Sequence, residues 1–471
     1  MIKFEDVSFR YVDCSEGVAN INMAVNEGEC VVLTGPSGGG KTTLTRLING
    51  LAPAYYPGTL TGKIFLGDEL LSKMPLWSVG KRIGSVFQDP KSQFFSAELV
   101  GEVAFACENY GFPKDEIQTR TDGAIRSFGL DGLRGYPLDA LSSGEKQRTA
   151  IASVYALRPS VYVCDEPTAN LDNEGTEQLA DVFRKLKAEG NTLIVAEHRL
   201  SWLYGIADRY IYVQNGRILW EKSAEEMKEL AEAQRNEYGL RVGIKTPITK
   251  IPYPQGEGDA AINVQNLSCR KKRKQIFKGL SFSVYSGQIT AITGINGAGK
   301  TTLALVLSGL CKEKSGNIAL GGVKRNAGQR RKLIWYSSND TGTQFFTDSV
   351  TEELLLNSDR SDKRLESARV LLKKLGLYQH KDAHPATLSG GQKQRLSIAC
   401  GILSNRRILI FDEPTSGLDG ANMKTIADVL KAEAKSEKAL LVITHDHELM
   451  WCCCDCVINM EDMQNGGTQE S

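Results

Sequence analysis

No stretch of about 18 apolar residues occurs in this 471-residue chain, so the sequence offers no candidate bilayer span. A protein of this kind acts at a membrane only by docking on a partner that crosses it. An excess of either charge is also lacking. With 57 Lys and Arg against 56 Asp and Glu, nothing in the charge balance points to nucleic acid. The eleven cysteines lack the regular spacing of a disulfide framework, and no signal peptide precedes MIKFEDVSF, which together predict a reducing cytoplasm. Cysteines cluster once, as CCCDC from Cys452 to Cys456, without the spaced pairs typical of zinc ligands. That run aligns with GIADRYIYV in the first half, where a helix is expected to end and a strand to begin, so packing is the expected role.

What is present is a pair of Gly-rich loops, GPSGGGKTT from Gly35 and GINGAGKTT from Gly294. Each follows a short apolar run, the context of a buried strand turning into a helix. Glycines at Gly35, Gly38, Gly40, Gly294, Gly297 and Gly299 let backbone N–H groups close around phosphate oxygens, together with Ser37 and Asn296. The helix N-terminus adds its dipole. Lys41 and Lys300 are predicted to reach the β- and γ-phosphates of a nucleoside triphosphate. Thr42 and Thr301 are predicted to place a hydroxyl on Mg²⁺, with Thr43 and Thr302 beside them.

Further motifs follow in the same order in both halves. VYVCDEPTANLD and ILIFDEPTSGLD each end an apolar strand in adjacent carboxylates. Asp165 and Asp412 are candidates for Mg²⁺, directly or through water, and Glu166 and Glu413 for the base that polarises a water. His198 and His445 each follow a later apolar strand at a fixed spacing from the DE pair. The offset between halves is 259 at the Gly-rich loop and 247 at Ser142/Ser389, Asp165/Asp412 and His198/His445, so the second copy is 12 residues shorter before Ser389. This is the pattern of a duplication. The length prior allows about three domains, but the repeat argues for two, 1–225 and 261–471, joined at 226–260 by a charged helix and a Pro/Gly-containing linker.

LSSGEKQR (Leu141 to Arg148) and LSGGQKQR (Leu388 to Arg395) resemble the signature of ATP-binding-cassette ATPases, and the other motifs stand in that family's order. The resemblance implies an α/β fold twice over, each cassette a mainly parallel sheet core with a helical subdomain carrying the signature. It also implies ATP and Mg²⁺ as ligands and head-to-tail pairing. Ser142, Gly144, Ser389 and Gly391 would then face the opposite cassette's γ-phosphate, and Gln88 would serve both the reaction and the metal. VFQDPKSQFF with Gln88 and Gln93, followed by EVAFACENYG, resembles the ATPases of energy-coupling-factor importers, and GTQFF with Gln344 echoes it. That branch implies uptake of a vitamin or transition-metal ion with a transmembrane coupling protein and a substrate-capturing membrane protein, at the cytoplasmic face of the membrane. Two other readings stay open. A soluble twin-cassette translation factor is disfavoured by the short linker and neutral charge, and a sugar-importer ATPase by QDPKSQF.

The two sites are expected to differ. The first has Tyr11 to stack on adenine, Gln88, and a facing LSGGQ. The second has Lys271 or a neighbour in SCRKKRK where Tyr11 aligns, Asn339 where Gln88 aligns, and a facing LSSGE with Ser143 and Glu145. The pairs Phe94-Phe95 and Phe345-Phe346, beside these Gln loops, are expected to line a docking groove.

Overall fold

A computed structural model describes residues 1–464 apart from 13–16, 170, 242, 244–250, 257–259, 272–273, 341, 343 and 357–359. The chain divides into two compact units, Met1–Val242 with Asp419–Ala421, and Gly243–Leu418 with Asn422–Ser471. Among the described residues no helix is long and apolar enough to cross a membrane.

In the first unit, Cys30–Thr34 and Thr192–Ala196 lie at the centre of a six-stranded sheet, with Val161–Asp165 and Ile83–Val86 on one side. These four strands are parallel, and Arg209–Gln214 continues them in parallel beside Cys30–Thr34. Arg217–Ser223 closes that edge antiparallel. The central strands read CVVLT, VYVCD and TLIVA because a parallel sheet is covered on both faces. A second sheet, antiparallel, is formed by Gly17–Val25, Ile2–Tyr11, Gly58–Leu66 and Glu69–Leu70. Its alternation of buried and exposed residues shows one face on the core, with Phe4, Val7, Phe9 and Ile21 packed against Leu33, Leu44 and Ile194. The opposite face of the parallel sheet carries the helical layer, including Leu99–Asn109, Lys114–Ser127 and Ser143–Leu157.

The second unit repeats this plan. Ile334–Ser337, Ile408–Asp412, Ala439–Ile443, Ile289–Thr293 and Cys456–Asn459 form a fully parallel sheet. Lys274–Val284, Ile262–Lys271, Ser315–Leu320 and Val323–Lys324 form its antiparallel companion. Its helical layer is trimmed: Val350–Leu354 spans five residues where Leu99–Asn109 spans eleven. Part of the shortening visible in the motif offsets therefore falls there. The helix His447–Cys453 ends, and the strand Cys456–Asn459 begins, within the cysteine run.

The charged stretch after Glu221 forms two short helices, Ala224–Glu229 and Glu232–Glu237, and Met227 and Leu230 bury themselves in the first unit's core. Tyr238 packs its ring on Tyr212 and Trp220. Of the Pro/Gly stretch expected as a linker, 246–250 and 257–259 lie outside the described residues, while Pro252 offers its carbonyl to Val457 N–H in the second unit.

Among the ion pairs described in the second unit, the one between Arg330 and Glu313 has a fully buried guanidinium. Arg330 is 1 % exposed, donates to both Glu313 oxygens at 3.2 and 2.6 Å, and reaches the carbonyls of Arg325 and Val306. Arg330→Ala strands the Glu313 carboxylate and two backbone carbonyls, so a loss of about 3 kcal/mol is expected. Chemical denaturation of the variant measures it, and a change under about 1 kcal/mol would contradict the assigned role.

Candidate nucleotide sites in each unit

Each Gly-rich loop leaves its strand through a glycine that no other residue replaces. Gly35 and Gly294 hold φ of 137° and 138°, and a Cβ on Gly35 would stand 2.1 Å from Val213 O. Gly40 (φ 112°) and Gly299 (φ 98°) then open the helices Lys41–Ile48 and Lys300–Leu307. Ser37 and Gly38 lie exposed on the first loop, as does Gly297 on the second, with Asn296 half-buried beside it. The two lysines turn inward. Lys41 Nζ donates to Gly35 O and Pro36 O at 3.0 Å each, and Lys300 Nζ to Gly294 O and Ile295 O at 2.7 and 2.9 Å. Burial lowers the Lys41 pKa, and the charges of Glu166 and Asp165 oppose that fall. An entering phosphate would supply the counter-charge that the loop carbonyls only mimic.

In the first unit the strand Val161–Asp165 delivers its carboxylates beside this lysine. Burial pushes Asp165 up to about 7, Glu166 adds to the rise, and Thr42 and Lys41 pull against it. Its Oδ1 is buried with no hydrogen-bond partner among the described residues. A buried carboxylate oxygen with an open lone pair, next to a threonine hydroxyl, fits a divalent cation. Glu166 has φ 44° and Glu413 φ 49°, in the left-handed region that side-chain-bearing residues seldom adopt. Each is held there by the next strand: Glu166 N–H donates to Ala196 O and Glu413 N–H to Ile443 O, both at 2.8 Å.

Around Glu166 the expected partners converge. Gln88 Nε2 donates to Glu166 Oε2 at 2.7 Å, and His198 Nε2 stands 3.3 Å from Oε1. Burial opposes the Glu166 charge, yet His198 and Lys41 outweigh it and hold the carboxyl below its ordinary value. Gln88, expected on the metal as well, meets the general-base candidate. The backbone at His198 is fixed, because Glu197 Oε1 accepts the His198 main-chain N–H at 2.7 Å while Glu197 Oε2 takes the Thr168 hydroxyl at 2.6 Å. Glu197 was not singled out from the sequence; its only signal was adjacency to His198.

The second unit keeps the parts in a looser arrangement. Thr301 hydrogen-bonds Asp412, His445 Nε2 lies 3.9 Å from Glu413 Oε1, and Thr444 donates to Glu413 Oε2 at 3.3 Å. Asn339 is exposed. Asp412 instead accepts the Tyr336 hydroxyl at 3.2 Å, a contact that the sequence did not announce.

Tyr11 ends the strand Ile2–Tyr11, and Lys271 ends its counterpart Ile262–Lys271, with 272–273 of SCRKKRK outside the described residues. Tyr11 donates to Thr43 Oγ1 at 3.3 Å and accepts from Arg46, whose guanidinium sits 3.8 Å over the Tyr56 ring. Arg46 and Tyr56 are additional members of this platform. In the second unit Leu305 takes the place of Arg46 on the phosphate-loop helix, and Lys271 is exposed.

The signature residues start helices of the helical layer. Ser142 caps Ser143–Leu157 and Ser389 caps Gly390–Leu403, with Gly144 and Gly391 in the first turns. Glu145 and Gln392 play one part: Ser142 N–H donates to Glu145 Oε2 at 2.7 Å, and Ser389 N–H to Gln392 Oε1 at 2.8 Å. The Glu145 carboxylate is thus folded back into a capping box, leaving the difference between LSSGE and LSGGQ mainly one of charge.

Comparison with known proteins agrees with this assembly. The ABC transporter family profile matches residues 18–169 and 277–416. A Treponema denticola protein provisionally named an ABC transporter ATP-binding protein is 37 % identical, covering 97 % of this chain and 95 % of its own. A Bacillus subtilis protein provisionally named as the HMP/thiamine import ATP-binding protein YkoD is 32 % identical, covering 98 % and 90 %. Among solved structures, the archaeal ribosome recycling factor aABCE1, bound to the ribosomal stalk protein aP1, aligns with 96 % of this chain and 87 % of its own at a TM-score of 0.65 and 20 % identity, a likeness of fold alone. This chain therefore belongs to the ABC transporter family, as an ATP-hydrolysing protein with two cassettes fused in one polypeptide.

Proposed function

We propose that the protein energises an importer of the energy-coupling-factor type, taking up a vitamin or a transition-metal ion. The observation that carries this reading is the near full-length similarity to a protein named for HMP/thiamine import. VFQDPKSQFF points the same way. In this reading each phosphate loop works with the signature of the other cassette, and the first site does most of the hydrolysis. Thr42 with Asp165, and Thr301 with Asp412, would hold Mg²⁺, whose charge offsets that of the phosphates when it is bound. Glu166, kept ionised by His198 and Lys41, accepts a proton from the attacking water, and Gln88 and His198 orient its carboxylate.

The membrane partners are a transmembrane coupling protein and a substrate-capturing protein, and the working location is the cytoplasmic face of the membrane. Phe94 and Phe345 pack into their units' cores, while Phe95 and Phe346 are 75 % and 79 % exposed. Each exposed ring is presented by a buried glutamate. Glu102 accepts Phe95 N–H and Ser96 N–H, both at 2.8 Å, and Glu353 accepts Phe346 N–H and Thr347 N–H at 2.9 and 3.0 Å. An apolar side chain held out twice by the same device supports docking on a helix of the membrane partner.

Affinity purification from detergent-solubilised membranes tests the reading, with a polytopic membrane protein expected to co-purify. Phe95→Ser combined with Phe346→Ser is expected to weaken that association about tenfold or more, since burying each ring is worth roughly 1.5–3 kcal/mol. Fractionation with ribosomes and never with membranes would overturn the importer reading in favour of a translation factor.

A further inference from the structure

Strand register places Tyr336 and Ser85 at equivalent points of the two units. Ile83 pairs with Val161 and Ile334 with Ile408, so Ser85 lies beside Val163 and Tyr336 beside Ile410, each two residues before a DE carboxylate. Ser85 is occupied elsewhere, its Oγ accepting from Asn49 Nδ2 at 3.2 Å. Asn49 lies eight residues after Lys41, and the residue eight after Lys300 is Ser308. Ser308 turns its hydroxyl back onto Ala304 O at 2.8 Å. The Asn–Ser pair of the first unit is therefore a Ser–Tyr pair in the second. The Tyr336 ring packs against the core and its hydroxyl reaches the carboxylate.

The consequence falls on the metal-binding candidate. Asp165 Oδ1 is buried without a partner among the described residues, whereas Asp412 Oδ2 accepts the Tyr336 hydroxyl and Thr301 also reaches this carboxylate. A carboxylate lone pair that receives a phenol proton is less available to a cation or to a cation-bound water. The ring is partly buried against the core, and Ser338 also hydrogen-bonds the hydroxyl that meets Asp412.

We propose that Tyr336 is a positioning residue that engages Asp412 and lowers the second site's affinity for the divalent cation accompanying ATP. This deepens the reading of two unequal sites and names a device that sets the inequality.

The test uses the full chain with Lys41→Ala, which confines nucleotide to the second site, and follows binding of a fluorescent ATP analogue as Mg²⁺ is titrated. Adding Tyr336→Phe is expected to lower the half-saturating Mg²⁺ about tenfold, the scale of a hydrogen bond to a charged group. Binding in EDTA should stay unchanged, which also reports that the variant is folded. An unchanged half-saturation point with intact metal-free binding overturns the proposal. If Tyr336→Phe loses metal-free binding, the reciprocal pair Asn49→Ser with Ser85→Tyr in a Lys300→Ala chain decides. A raised Mg²⁺ requirement at the first site supports the role, and none overturns it. Equal ATPase losses from Glu166→Gln and Glu413→Gln alongside a Tyr336→Phe shift would defeat the unequal-turnover reading alone; unequal losses without the shift would defeat only the role of Tyr336.

Discussion

Glu166→Gln is expected to remove nearly all steady-state ATPase activity, while Glu413→Gln leaves a substantial fraction. A general base contributes about 10²–10⁴-fold, so its removal is felt in full wherever turnover is fast. Glu166 is closely held: Gln88 at 2.7 Å, His198 at 3.3 Å, and a carboxyl kept below its ordinary value. Glu413 has His445 at 3.9 Å, an exposed Asn339 in place of the glutamine, and a neighbouring Asp412 already engaged by Tyr336. Substitution by Gln preserves shape and the unusual backbone angle, so ATP should remain bound in both variants. The measurement is steady-state ATPase rate of the full chain, with nucleotide occupancy followed in parallel. Equal losses would mean that the sites turn over as one, and a larger loss from Glu413→Gln would invert the assignment.

Lys41→Ala and Lys300→Ala are each expected to weaken ATP at their own site by roughly thirtyfold or more, because truncating one partner of a buried charge pair costs about 2–5 kcal/mol. Both ammonium groups are buried and directed at the carbonyls of their own loops. Removing one leaves the phosphate facing those carbonyls without a counter-charge. Equilibrium nucleotide binding to the single and double variants checks this. Wild-type affinity in the double variant would contradict the loop geometry.

The segments legible beforehand were those whose chemistry is local. A phosphate loop is nine consecutive residues in which glycine supplies backbone angles and lysine supplies charge, so its conformation and ligand class can be read without knowing the fold. The apolar runs before Gly35 and Gly294, and those ending in Asp165 and Asp412, announce buried parallel strands for the same reason. The antiparallel sheets were less visible. Ile2–Tyr11 carries register shifts against both of its neighbours, which blurs its alternation.

The sequence by itself determined that there are two cassettes, the order of their motifs, and the identity of Lys41, Asp165, Glu166, Lys300, Asp412 and Glu413 as chemical groups. Only the tertiary structure decided which side chains modify them. Tyr336 reads in sequence as one more apolar-strand residue, and its hydroxyl meets a carboxylate 76 positions away only because the two strands are adjacent in register. Arg46 looks like a surface residue of a short helix until Tyr56 is folded beneath it. Glu102 and Glu353 look like solvated helix charges until the loop just before each helix folds its backbone N–H groups onto them. The physical reason is common to all three. A motif specifies backbone angles and charges within one turn or strand, whereas the hydrogen bonds that tune those charges join residues brought together by strand pairing and helix packing.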